Sequence, residues 1–167
     1  MVGGIIKPAH EQDILFMRQA LILANEAAEA GEVPIGALII SSEGEMIGRG
    51  SNQTEGKHSQ SRHAEIIAIE KAGEYKFDWR LSGCTIFVTI EPCLMCISLI
   101  CLSRISRLVY GAQSPLFGYH LDRESLPPVY RKHIEGITSG ILGDESQQLL
   151  ENFFKKKRIK GEEFRTN

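Results

Sequence analysis

Residues 84–110 read CTIFVTIEPCLMCISLICLSRISRLVY, and the reading of this stretch decides the fold. Its first seven residues, Cys84 to Ile90, form an apolar, β-branched run that predicts a buried strand. Glu91-Pro92 ends the run, and proline suits the first turn of a helix because its missing N–H would be unpaired there anyway. A helix from Pro92 to about Ser103 follows, then a short strand, Arg107 to Tyr110. Strand, helix and strand within 27 residues make a compact βαβ unit, which implies parallel pairing.

Working outward, the N-terminal side supplies a different kind of sheet. Apolar residues at Ile14, Leu15, Met17, Leu21, Ile22 and Leu23 recur with helical spacing between His10 and Ala30, and Gly31 stops them. Val33 to Ser41 and Glu45 to Gly50 are short apolar runs around a Glu43-Gly44 turn, the pattern of a hairpin. A polar loop from Ser51 to Arg62 leads to a helix, His63 to Ala72, with Gly73 placed as its stop. Beyond the βαβ unit come a loop with Pro115, Pro127 and Pro128, a strand near Ile134 to Ile137, and an amphipathic helix from Asp144, read as N-cap, to about Lys160. The expectation is a single α/β domain spanning 1–167, with a mixed sheet that has a hairpin at one end and a parallel portion at the other.

Composition sets the boundaries. A chain of 167 residues, 43% hydrophobic and 24% charged, can bury a conventional core, which excludes disordered, collagen-like and disulfide-dense classes. No apolar run reaches the roughly 18 to 20 residues that cross a bilayer. The opening MVGGIIKPAHEQD lacks a leader's basic start and long apolar stretch, so a cytoplasmic protein with no membrane partner is expected. The net charge is −2, yet residues 155–167 carry six basic and two acidic side chains and are +4. Such an end suits phosphate contact, and equally a solvated helix terminus whose cations favour the helix dipole.

Four cysteines in such a chain argue against disulfides. Cys93 and Cys96 lie three apart at a helix start, so both sulfurs share a face, and the helix N-terminus favours the thiolate. By itself this CxxC is compatible with metal binding, with a redox pair and with simple packing. His63-Ala64-Glu65, at the start of the upstream helix, narrows the choice. One imidazole beside two thiolates is a tetrahedral zinc set, and three protein ligands leave a fourth position for water, as in catalytic sites. Glu65 is placed to take a proton from that water and pass it to a leaving group. HxE at one helix start, a strand, and PCxxC at the next helix start is the signature of zinc deaminases. The metalloprotease HExxH is absent, since position 67 is Ile. Cys84 and Cys101 read as core, His58 as a loop residue, and Phe77 with Trp79 as a packing anchor.

These motifs, together with GEVPIGALI, GRGSN, TIFVTIEPCLMC, SRISRLVYGA and EGITSGILGDESQQLLENFFKKKR, resemble the bacterial tRNA-specific adenosine deaminases of the cytidine-deaminase-like superfamily, over residues 10 to 160. The resemblance implies a three-layer α/β/α fold around a five-stranded mixed sheet. It implies one Zn²⁺ per subunit on His63, Cys93 and Cys96, no organic cofactor, and a Glu65 proton shuttle while hydroxide attacks C6 of adenine and ammonia leaves. It implies that Asn52 holds the flipped nucleotide, that Ile35 and the Ala64 backbone help form the base pocket, and that Phe153, Phe154, Lys157 and Arg158 meet a tRNA anticodon loop. Homodimers and a wobble adenosine substrate, converted to inosine, complete the expectation. One departure stands out: where relatives carry an Asp-centred loop that touches the neighbouring ribose, this chain has Gln113 to His120, with Ser114 at the Asp position. A deaminase of a free base or nucleotide, of guanine or cytosine type, and a catalytically silent zinc-binding subunit are the alternatives.

Overall fold

The computed structural model describes residues 11–121, 126–159 and 161. Lys160 and residues 162–167 of the basic end therefore lie outside the described residues. In chain order the elements are α1 (Glu11–Glu29), β1 (Gly36–Ile40), β2 (Met46–Ser51), α2 (Thr54–Lys57), α3 (Ala64–Lys76), β3 (Thr85–Ile90), α4 (Leu94–Leu102), β4 (Arg107–Ala112), α5 (Pro128–Arg131), β5 (Gly136–Ser139) and α6 (Gly143–Ile159).

The strands form one five-stranded sheet in the order β2-β1-β3-β4-β5. β1 is antiparallel to both β2 and β3, whereas β3–β4 and β4–β5 are parallel. The central strands read as unbroken apolar runs because both of their faces are covered. Alternate residues go to opposite sides: Ala37, Ile39, Ile86, Val88, Leu108 and Tyr110 join Ala64, Ala68 and Ile100 in one cluster. Leu38, Ile40, Phe87 and Val109 join Met17, Ala20 and Ile141 in the other. α3 and α4 thus cover one face, and α1 and α6 the other, giving the expected three layers.

Several expectations need correction at the level of elements. In α1 the sheet-facing stripe is Met17, Ala20, Ala24 and Ala27, while Ile14, Leu15 and Ile22 are exposed. Small residues win there because Gly36 of β1 runs so close that a Cβ on it would meet the Ala20 carbonyl. α3 passes through Gly73 and ends at Phe77, whose φ of 52° is left-handed. The glycine's cost of roughly 1 kcal/mol inside a helix is offset by the extra turn, which carries the Lys71–Glu74 ion pair and Tyr75, whose hydroxyl donates to Glu45. Asp144 is not the cap of α6: the carbonyl of Leu142 accepts the first helical bond from Ser146, and Asp144 sits within the first turn. β5 lies two residues later than the pattern suggests, because its register is set by pairing of Gly136 with Arg107. The polar loops contain the short helices α2 and α5.

Phe77 and Trp79 are not a packing anchor. Phe77 is 97% exposed and Trp79 54%, with the guanidinium groups of Arg80 and Arg104 over the indole at 4.4 and 5.1 Å.

Candidate metal centre and its surrounding loops

Two helix N-termini meet at the end of the sheet where β3 delivers the chain to Pro92. His63 precedes α3 and Cys93 precedes α4, both in extended conformation (φ −71° and −73°) and neither spending its side chain on a capping bond. Cys96 lies one turn into α4 and is fully buried. The Cys93 and Cys96 sulfurs stand 3.7 and 3.4 Å from His63 Nδ1. All three donor atoms lie within 4.8 Å of one another. Zinc bonds of about 2.0 Å to nitrogen and about 2.3 Å to sulfur, at tetrahedral angles, put N and S about 3.5 Å apart. The donor set therefore fits zinc in both chemistry and spacing.

The local electrostatics agree. A hydrogen bond from the Cys96 thiol, helped by His63, pulls Cys93 down to about 4, and the Cys93 thiolate together with burial pushes Cys96 up. Without a cation the pair keeps one proton; a dipositive ion lets both act as thiolates. The Cys93 contact also raises His63. Glu65, 4% exposed, sits in the first turn of α3 with its carboxyl raised above the usual range, chiefly by burial. A carboxyl so placed holds a proton more readily than a solvated one.

The other residues singled out in the sequence divide into two groups. Asn52 is buried, its backbone N–H donates to the Ile35 carbonyl at 3.0 Å, and its Oδ1 accepts from the Thr54 hydroxyl at 2.7 Å. Ile35 packs on the same apolar cluster as Ala64. Phe153, Phe154, Lys157 and Arg158 are on α6. Phe153 is buried at 7% exposure, edge-on to Phe154 at 5.5 Å and beneath the Lys157 ammonium at 5.4 Å. It is a floor for its neighbours rather than an open ring. Cys101 is core, pushed up to about 11 by burial, and Cys84 is likewise buried and raised. His58 is exposed, in a left-handed conformation at the end of α2.

Two buried carboxylates that hold the loops around the centre escaped the sequence reading. Glu32 accepts the N–H groups of Glu55 and Gly56 at 3.0 and 2.6 Å and so fixes α2 beside Asn52. Glu91 accepts those of Ser114 and His120, each at 3.1 Å, and meets His120 Nδ1 at 2.7 Å. The available signal was an acidic residue embedded in an apolar run, which must find partners or not be buried.

Fold and centre together define the class: zinc-dependent deaminases. Residues 10–112 match the cytidine and deoxycytidylate deaminase zinc-binding region. Within that class the chain belongs to the tRNA-specific adenosine deaminase family. It is 38% identical over 157 residues to the tRNA-specific adenosine deaminase of Bacillus subtilis, covering 93% of this chain and 97% of that one. It is 39% identical over 153 residues to the Haemophilus influenzae enzyme of the same name, covering 91% and 88%. A solved structure from a study of A-to-I editing by tRNA:A34 deaminases at the wobble position superposes with a TM-score of 0.75 at 39% identity, covering 81% of this chain and 99% of that one.

Proposed function

We propose that the protein hydrolyses the 6-amino group of the wobble adenosine in a tRNA anticodon loop, giving inosine and ammonia. The observation that carries this reading is the buried Glu65 carboxyl beside a His63, Cys93 and Cys96 donor set. His63, Cys93 and Cys96 would hold zinc, which would supply the Lewis acidity that makes water nucleophilic at neutral pH. Glu65 takes one proton from the attacking water and delivers it to the purine ring nitrogen beside C6. It then carries the proton of the added hydroxyl to the amino group, which leaves as ammonia as the C6 carbonyl forms. Burial serves that role, because it raises the affinity of the carboxyl for the proton it must carry. Asn52, held by Ile35 and Thr54, orients the nucleotide, and Ile35 with the Ala64 backbone walls the base. On α6, Phe154, Lys157 and Arg158 face the RNA, with Phe153 supporting Lys157 from below.

A second copy of the chain is part of the same reading. α4 carries no charged residue, and Leu94, Met95 and Leu102 are 40, 41 and 50% exposed opposite its buried side. A helix apolar all round calls for cover on every face. Met95→Glu should shift the protein from dimer to monomer in sedimentation velocity; an unchanged dimer would remove α4 from the interface.

Incubating the zinc-loaded protein with total tRNA and sequencing for adenosine-to-inosine change tests the activity directly. Glu65→Ala is expected to retain its zinc and lose on the order of 10³-fold or more in rate. Near-normal turnover by that variant would remove Glu65 from the proton path. Ammonia release from free guanine or cytosine without inosine in tRNA would transfer the chain to the free-base reading.

A further inference from the structure

The loop that departs from the family pattern, Gln113 to Leu121, is held at several points by the residues that lead into the metal ligands. Glu91, 3% exposed, takes the Ser114 N–H on Oε2, the His120 N–H on Oε1, and His120 Nδ1 at 2.7 Å. The Tyr119 N–H donates to the Pro92 carbonyl at 2.9 Å, and Gly118 forms an isolated antiparallel bridge with Cys93. Within the loop, the Gly118 N–H closes onto the Ser114 carbonyl at 3.1 Å, and the Phe117 N–H onto the Ser114 hydroxyl at 3.4 Å. A Cβ at position 118 would strike the Glu91 carboxylate. So tight a set of anchors makes the loop stiff, yet its tip faces solvent: Leu116 is 75% exposed and Phe117 74%. The tip is one residue from the strand bridge to Cys93. An exposed phenyl on a braced loop beside the reaction centre is suited to the face of an unpaired base, which stacks on aromatic rings whatever its identity.

We propose that Gln113–Leu121 is a rigid stacking arm for the nucleobase next to the reacting adenosine, with Phe117 as its contact and Glu91 with His120 as the positioning pair. The proposal rests on the RNA reading above and deepens it: contact with the neighbouring nucleotide passes from a charged group to an aromatic one. Ser114 carries no charge; its N–H is taken by Glu91 and its hydroxyl oxygen accepts the Phe117 N–H.

The test uses the zinc-loaded full chain and an RNA anticodon stem-loop with one adenosine at the wobble position. Base-on-aromatic stacking of about 1–3 kcal/mol corresponds to a five- to hundredfold change. Phe117→Ala is expected to raise KM by that factor, more than it affects kcat, with zinc content unchanged, and Phe117→Trp to restore it. His120→Ala should raise KM as well, but add nothing in the Phe117→Ala background, since it acts through the tip. An unchanged KM in Phe117→Ala overturns the arm, and a simultaneous loss of dimer in sedimentation assigns the tip to the second copy. Effects of the two variants that multiply overturn the positioning role. A wild-type protein that leaves the stem-loop adenosine intact overturns the RNA reading, and the arm with it; deamination by wild type with KM unmoved in Phe117→Ala overturns the arm alone.

Discussion

Among single residues, the four cysteines show how position sets chemistry. Cys84, Cys96 and Cys101 are buried, and only Cys93 keeps partial access to solvent. Cys93 is also the thiol drawn down to about 4, whereas burial holds Cys101 near 11. In zinc-free protein, iodoacetamide at neutral pH should therefore alkylate Cys93 first and leave Cys84 and Cys101 untouched until unfolding, as read by peptide mass spectrometry. Equal labelling of all four would contradict the burial pattern. Zinc should protect Cys93. The His63, Cys93 and Cys96 donor set was legible in the sequence because each residue sits at a fixed place relative to a helix start. Glu91 was not, because its partners Ser114 and His120 lie 23 and 29 residues away and sequence spacing says nothing about them.

At the scale of elements, the contact between α3 and β2 governs where the site stands. Gly48 and Gly50 let the strand lie against the helix so closely that a Cβ on either would meet a helix carbonyl, of Ala68 and Ala64 respectively. Ala64 directly follows the ligand His63, so this contact fixes the height of α3 on the sheet. Gly48→Ala should cost about 1–3 kcal/mol through overpacking. In a chain of this size that lowers Tm by roughly 2–4 °C per kcal/mol, measurable by calorimetry. A Tm equal to wild type would mean that the helix can slide at no cost. The hairpin, the βαβ unit and α6 were all legible from periodicity, but the end of α3 and the register of β5 were not. Phe77 closes α3 only because tertiary partners reward the additional turn, and β5 begins where β4 offers hydrogen bonds.

For the whole molecule, one ion pair ties distant parts of the chain together. Arg107 of β4 grips Asp13 of α1 with two bonds of 2.8 and 2.6 Å and also donates to Thr138 of β5 at 3.0 Å. The Asp13 and Arg107 side chains are 4% and 17% exposed. Removing one partner leaves the other charge largely buried, so Asp13→Ala should cost about 3 kcal/mol, read as a shift of the urea midpoint at unchanged slope. A midpoint within error of wild type would show that water reaches Arg107 freely. Zinc on His63, Cys93 and Cys96 would join α3 to α4 in the same way. A chelator should lower Tm while leaving the far-ultraviolet circular dichroism at 25 °C folded, because the two apolar clusters do not depend on the ion. Collapse of that spectrum would mean that the centre holds the fold together rather than resting on it.

The amino-acid order alone determined the mixed sheet and placed His63, Glu65, Cys93 and Cys96 at two helix starts. Alternation along a strand, helix-start residues and short ligand spacings are local properties that survive without coordinates. Tertiary structure alone decided that Ala20 and Ala24, not Ile14 and Ile22, face the sheet, that Phe153 is a floor, and that Glu91 braces the loop ending in Phe117. Each of those outcomes depends on which distant group occupies the neighbouring space, and a buried carboxylate or a close backbone approach is defined only once those groups have met.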